Sequence, residues 1–382
     1  MNDNNKPIGL ITYHSAYNFG SVLQTYGTIR ALEKLGYSVE TIDYRTPSQT
    51  FWYQTDFSIK KGLRSMIDNF GFLFIKAARK RRAQKYENFI SRFLNPTNTQ
   101  FKSYEQIKKT TFDYDVLISG SDQVWNISCG EFQFEAKEAI LPYFLQFGNP
   151  KRKIAFSSSF GNQTLRNIRK YKELLCQYDA LSTREPIIRE YIQQATGRDV
   201  ELVCDPTWLL DKYEWKSLDG VYKPDIKYPY IFVYALYWNF RTLNKWIPKI
   251  KELAKRYGMV IYCVTPLNYY RDKDITIIQD AGPLDILSYL INASLVITNT
   301  FHGTIFSINF EIPFYSCCVN PGSRQGQILA MCGLEDRIIN SPSELLDDNK
   351  FDCDFTKSTN IIKSLRNHSI EYLKKEIQTN SK

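Results

Sequence analysis

An α/β protein of two Rossmann-like domains facing a cleft is the fold this sequence predicts, on three observations. The chain has 382 residues, too long for one ordinary core and suited to two domains of roughly 150–200 residues each. Short apolar runs alternate with stretches of helical periodicity, once over residues 1–204 and again over 205–350, as in two successive βαβ series. No repeat of solenoid period interrupts them. Apolar residues make up 43% and aromatics 15%, with 26 Tyr and 24 Phe. That supplies packed cores and excludes a disordered or low-complexity chain.

The elements follow in order. Residues 8–14, IGLITYH, read as a buried parallel strand. The loop SAYNFG carries the Gly and Asn that turns favour. Ser21 then reads as the cap of a helix in which Val22, Leu23, Tyr26, Ile29, Leu32 and Leu35 recur at helical spacing, and Gly36 ends it. Residues 38–43 supply the next strand and start a doubly wound sheet. Residues 46–110 are less regular. They hold the aromatic stretch FWYQTDF and a basic helix, and read as an insertion on the edge of the first domain. Strands resume at 115–119, 153–159 and 178–182, with helices at about 164–175 and after Pro186. The second domain opens near Asp205-Pro206. Its strands are 230–236, 259–264, 275–279, 295–299 and 313–317, and helices at about 241–257, 283–292, 302–310 and 323–332 separate most of them. The stretch 351–382 is expected to be a helix that packs back on the first domain.

Charge and cysteine usage bound the function. The net charge is +9, and Lys76, Arg79, Lys80, Arg81, Arg82 and Lys85 fall within ten residues. Such a patch fits nucleic acid, an anionic membrane surface or simply a solvated helix face. No nucleic-acid-binding motif accompanies it, so no nucleic-acid partner is expected, and a mildly basic enzyme handling anionic substrates accounts for the balance. None of the eight Cys has zinc spacing, and the adjacent Cys317 and Cys318 read as buried free thiols. No metal and no cofactor is expected. The N-terminus lacks a signal pattern and no run of about eighteen apolar residues exists, which predicts a cytoplasmic, reduced protein.

In doubly wound sheets, ligands bind beyond the carboxyl ends of the strands, and four strand ends are unusually polar. The first is HSAYNFGS. Asn18, Gly20 and Ser21 surround a helix start whose backbone N–H groups can bind an anion, with Tyr17 able to stack on a sugar. The second is SGSDQVWN. Asp122 is a candidate acid–base group, Ser121 and Gln123 candidate ligand contacts, and Trp125 a stacking surface for a sugar face. In the third, STREP, Arg184 can hold a carboxylate or phosphate bidentately, or pair with Glu185. The fourth is LVITNTFHGTIFSINFEIPF. Here Asn299, Thr300 and Phe301 lead into His302, Gly303 and Thr304 at a strand-to-helix turn, and the imidazole stands beside N–H groups that can hold an anion. Downstream, Arg324 follows a Gly-Ser turn and is a further candidate phosphate contact.

Together these segments resemble the polysaccharide pyruvyl transferase family. The matching pieces are YNFGSVLQTYGTIRALEKLGY, DVLISGSDQVWN, KIAFSSSFG, STREP, the Asp205-Pro206-Thr207 turn and TNTFHGTIFSINFEIPF, in the family's order. The resemblance implies a fold like the GT-B glycosyltransferases. It also implies transfer of pyruvate from phosphoenolpyruvate, the donor substrate, to a saccharide as a ketal, in cell-surface or exopolysaccharide biosynthesis. His302 takes the position of the family's His, and His302 and Asp122 become the candidate catalytic pair, with the acid and base roles open. Some relatives carry a basic residue two positions before that His. This chain has Thr300 there, so that contact is either lost or supplied by Arg324 or Arg184. A lipid-linked acceptor would give the basic helix reason to face the inner side of the membrane. Two rival expectations remain: a nucleotide-sugar glycosyltransferase on the same architecture, and a saccharide-binding relative without catalysis.

Overall fold

The protein is described by a computed structural model that covers residues 6–52, 76–132, 134–265, 270–317, 319–347 and 352–379. The aromatic stretch beyond Trp52, Cys318 and residues 1–5 lie outside the described residues. The described chain forms two compact units. One gathers residues up to 52, 88–210 and 362 onward; the other gathers 76–87 and 211–361.

The first unit is built on a four-stranded parallel sheet: β1 (Ile8–Ile11), β2 (Val39–Thr41), β3 (Val116–Ser119) and β4 (Arg152–Ala155), in the order β2-β1-β3-β4. β1 and β3 are apolar over almost every position and fully buried, as strands covered on both faces must be. Helix α1 (Phe19–Lys34) follows β1, and a two-stranded parallel pair, β5 (Ser182–Thr183) and β6 (Glu201–Leu202), extends the unit. Its core runs from Ile11 and Ile42 through Trp125, Tyr143, Phe144 and Phe160 to Ile192. Strand order reverses between β1 and β3, so the connections after these two strands leave the sheet in opposite directions. A crevice opens at such a reversal, beyond the carboxyl ends of the two strands.

The second unit repeats the arrangement with six parallel strands: β7 (Tyr230–Tyr234), β8 (Val260–Val264), β9 (Ile275–Ile277), β10 (Leu295–Thr298), β11 (Phe314–Cys317) and β12 (Ile338–Ile339). The order is β12-β11-β10-β7-β8-β9, so the reversal lies between β7 and β10. Ile231, Val233, Trp246, Ile250, Ile297 and Tyr315 form the core on one face.

Of the stretch 46–110, read as an insertion on the edge of the first domain, residues 88–110 group with the first unit. Residues 76–87 cluster with the second unit. In helix α2 (Lys76–Phe93), Arg81 Nε donates to Asp280 at 2.7 Å and Lys85 Nζ to Asp285 at 2.8 Å, and Ala78 and Tyr86 are buried. Two of the six basic side chains that suggested a polyanion-binding patch are thus committed within the unit. No described helix is long and apolar enough to cross a membrane.

The last helix, α3 (Thr356–Gln378), contributes residues from 362 onward to the first unit. Tyr372 is buried there. Its hydroxyl donates to Ala155 O at 3.0 Å, and its ring stacks near Phe156 with centroids 6.3 Å apart. Arg152 Nη2 pairs with Glu376 at 2.8 Å, and Ser369 Oγ accepts the Cys204 N–H at 2.9 Å. Tyr372→Ala removes a buried ring and a hydrogen bond together. It is expected to cost about 3–5 kcal/mol, read as a lowered urea midpoint.

Candidate functional site

The candidate residues fall into two sets, one in each unit, and in both cases they gather at the strand-order reversal.

In the first unit the loops after β1 and β3 are stitched to each other. Thr12 Oγ1 donates to Ser121 O at 2.7 Å, and Ser21 Oγ donates to Asp122 Oδ2 at 2.7 Å. The backbone of Asp122 is left-handed, with φ +74°, as is that of Ser157 after β4, with φ +58°. Holding a non-glycine residue there costs about 1 kcal/mol or more, and the network that holds Asp122 is dense. Its Oδ1 accepts the Gln123 N–H at 2.8 Å and stands 3.6 Å from Arg184 Nη2. Helix α1 begins at Phe19, three residues earlier than a Ser21 cap implies. Asn18, a favoured cap because its short side chain reaches back to the first turn, accepts the Gly20 N–H at 3.0 Å. Ser21 therefore binds Asp122 instead of capping the helix.

Arg184, read either as an anion ligand or as a surface partner of Glu185, turns inward. It is 3% exposed, and its guanidinium faces internal carboxylates. Nη1 donates to Asp205 Oδ2 at 2.5 Å and to Ser121 Oγ at 2.9 Å, while Nε donates to Glu185 Oε1 at 3.1 Å. Burial alone would lower its pKa, but Asp205, Glu185 and Asp122 outweigh burial and raise it above the ordinary value. The pairing with Glu185 is thus real but interior. Trp125 is likewise displaced from its expected role: it is 1% exposed, stacks on Phe144 at 5.5 Å, and its Nε1 donates to Tyr143 O at 3.1 Å. An apolar ring after an apolar strand has gone into the core, leaving no face for a sugar. Tyr17 is half-buried.

Sequence reasoning passed over the pair His14 and Asp43, which follow β1 and β2. His14 is fully buried, with Nε2 2.9 Å from Asp43 Oδ1 and Nδ1 3.2 Å from Thr12 O. Burial opposes the charge of Asp43, yet His14 and Arg45 hold its carboxyl below the ordinary carboxylate value. Only the scarcity of His, three in the chain, could have signalled this pair.

In the second unit, Thr300 caps the helix Phe301–Phe310, which follows β10. Thr300 is 4% exposed; its Oγ1 accepts the Gly303 N–H at 2.9 Å and lies 3.0 Å from Thr298 Oγ1. A methyl group on Gly303 would sit 2.3 Å from Thr298 Oγ1, so only glycine lets the helix approach the strand this closely. Thr304 Oγ1 donates to Thr300 O at 3.1 Å and meets Ser316 Oγ at 2.9 Å. Gly303 and Thr304 therefore spend their polar groups inside the fold, unlike the open anion cradle expected. Gln325, which carried no sequence signal, ties this network to the next loop: its Nε2 donates to Thr304 Oγ1 at 2.9 Å and also to Ser316.

His302 and Arg324 are half-buried, and the Nε2 atom of the His302 ring is itself buried. The Arg324 guanidinium lies over the Phe301 ring at 5.4 Å from its centroid, and the His302 ring meets the same phenyl edge-on at 5.3 Å and 86°. Cation–π attraction fixes the charge on the wall that carries the imidazole. Asn299 Oδ1 accepts the Tyr237 N–H at 3.5 Å, joining the loop after β10 to the loop after β7. Among the described residues, no group of three or more His, Cys, Asp or Glu side chains is arranged to hold a metal.

Removing Arg184 leaves Asp122, Glu185 and Asp205 buried without their shared counter-charge. Arg184→Ala is expected to lose about 3–5 kcal/mol of folding stability in urea titration. Asp43 contributes stability that is present above the unfolded carboxylate pKa and lost as pH falls through its lower folded value. Asp43→Asn is therefore expected to flatten the acid limb of a stability–pH profile.

Comparison with known proteins bears on what these sets serve. A search of curated proteins returns no match. Among solved structures, UDP-GlcNAc 2-epimerase of Neisseria meningitidis, bound to UDP-GlcNAc, aligns over 98% of this chain and 99% of its own at TM-score 0.50 and 7% identity. The UDP-N-acetylglucosamine 2-epimerase of Rickettsia bellii aligns over 97% and 98% at TM-score 0.49 and 10% identity. At such identities the likeness concerns the fold, which is GT-B-like with parallel sheets in both units. The sequence model described as polysaccharide pyruvyl transferase matches residues 18–320, most of the chain, from the cap of α1 to just past β11; β1, His14, Tyr17 and Arg324 lie outside the match. The chain belongs to the polysaccharide pyruvyl transferase family.

Proposed function

We propose that the chain is a ketal-forming pyruvyl transferase that moves pyruvate from phosphoenolpyruvate to a saccharide in cell-surface or exopolysaccharide biosynthesis. The observation that carries this reading is the Arg324–Phe301–His302 wall at the strand-order reversal of the second unit. Phosphoenolpyruvate brings a phosphate and a carboxylate, and Arg324 offers a fixed cation for either. His302 stands beside it as the group that can exchange a proton.

The chemistry balances with these parts. Protonation of the methylene carbon makes the methyl group and leaves the adjacent carbon electrophilic. One sugar hydroxyl adds there, the bond to phosphate breaks, and the second hydroxyl closes the ketal. Of the two hydroxyl protons released, one replaces the proton given to carbon and the other leaves with phosphate. Neutral hydroxyls need a base as they attack, and the carbon needs an acid; His302 is the candidate for one of these roles on this wall. The Thr300 position fits as well. Because Thr300 is occupied in capping the helix, the cation of this wall comes from Arg324, one strand further along the sheet.

The test is phosphate release that depends on both phosphoenolpyruvate and a saccharide acceptor. His302→Ala is expected to lower turnover at least about a hundredfold, and retained activity would remove His302 from the chemistry. Arg324→Ala is expected to raise the KM for phosphoenolpyruvate while leaving the urea midpoint in place. Stabilisation by UDP or GDP, and none by phosphoenolpyruvate, would favour a nucleotide-sugar glycosyltransferase instead.

A further inference from the structure

Beside Asp122, at the strand-order reversal of the first unit, lies a row of amide side chains that the reaction scheme does not use. Asn126 Nδ2 donates to Gln123 Oε1 at 3.0 Å, Gln163 Nε2 donates to Asn126 Oδ1 at 2.7 Å, and Asn167 Nδ2 donates to Gln163 Oε1 at 2.8 Å. The row runs in one direction, each amide giving a hydrogen to the oxygen of the next. That direction fixes which end of every amide is nitrogen and which is oxygen.

Gln123 is the end of the row. Its oxygen is occupied by Asn126 and pressed against Gly161, where a methyl group would sit 2.1 Å from Oε1. Gly161 also has φ +63°, which suits glycine. The amide is therefore clamped. Its Nε2, carrying two hydrogens, meets no acceptor among the described residues, and it is not among the buried polar atoms. Gln123 is half-buried, at the carboxyl end of β3. A donor that is held in place, left without an acceptor and set at a strand-order reversal is preorganised for an oxygen from outside the chain.

We infer that Gln123 is a saccharide-binding residue, donating through Nε2 to a hydroxyl oxygen of the acceptor, with its orientation set by Gly161 and by the row Asn126, Gln163 and Asn167. The ligand class follows from the donor. A neutral amide hydrogen suits a neutral hydroxyl, whereas the anionic donor substrate needs a cation. The inference rests on the reading of the chain as a transferase to a saccharide, and it adds where that saccharide is gripped.

The test reads binding apart from turnover. Saturation-transfer NMR is recorded with a panel of methyl glycosides (galactoside, glucoside, mannoside and N-acetylglucosaminide) in the absence of phosphoenolpyruvate. Gln123→Glu keeps an oxygen for Asn126 and deletes the donor. Gln123→Met deletes the donor without adding a charge. At least one glycoside is expected to bind the unaltered protein, and both variants, with unchanged thermal midpoints, are expected to bind it at least about fivefold more weakly. Binding that survives both substitutions overturns the inference, and so does a protein that binds none of the glycosides. A protein that binds glycosides through Gln123 yet releases no phosphate from phosphoenolpyruvate keeps this site and loses the pyruvyl-transfer reading.

Discussion

Parallel strands all deliver the chain to the same edge of their sheet, and the rest of this molecule follows from that constraint. With β1 and β3 side by side but wound outward in opposite directions, the loops that follow them separate and leave an opening. The same holds for β7 and β10 in the other unit. Backbone groups in these loops have no strand partner, so side chains must satisfy them. That requirement explains the chemistry of the local sequence. Thr12, Ser121, Thr298, Thr300 and Thr304 are short hydroxyl side chains that hold the loop ends together.

Two kinds of polar group result, and burial separates them. Arg184 sits among three carboxylates in the interior, where desolvation is costly for every member and only the complete set is tolerable. Arg324 spends its cation on the face of Phe301 and stays half-buried. The first arrangement secures the β3, β4 and β5 loop ends, including the strained backbone of Asp122. The second leaves its charge half-buried. Identical residue types are therefore sealed inside one unit and partly exposed in the other.

The sequence made the strand ends legible because period and turn residues mark them, and the motif order led to the family. The short range of side-chain contacts was not legible. Arg184 followed by Glu185 looks the same in a one-dimensional reading whether the pair is on the surface or sealed inside, and the distant Asp205 decides it. Trp125 reads equally as a stacking platform or as core, and the neighbouring Phe144 and Tyr143 decide that. The cap of α1 lies three residues earlier than read, because Asn18 and Ser21 are both good cap residues and Asp122 competes for the serine. Gln325 and the amides beyond Gln123 left no signal, since a glutamine that completes a network has the same neighbours in sequence as one on a loop surface.

The seclusion of Arg184 has a consequence for experiments in salt. Mobile ions screen charges they can approach, over about 8 Å at physiological ionic strength, and screen sealed pairs far less. Arg184 and its carboxylates are shut away from such ions, whereas Arg324 is open to them. Ionic strength will accordingly act on the half-buried guanidinium far more than on the sealed one, and added chloride becomes a probe that distinguishes two arginines without altering either.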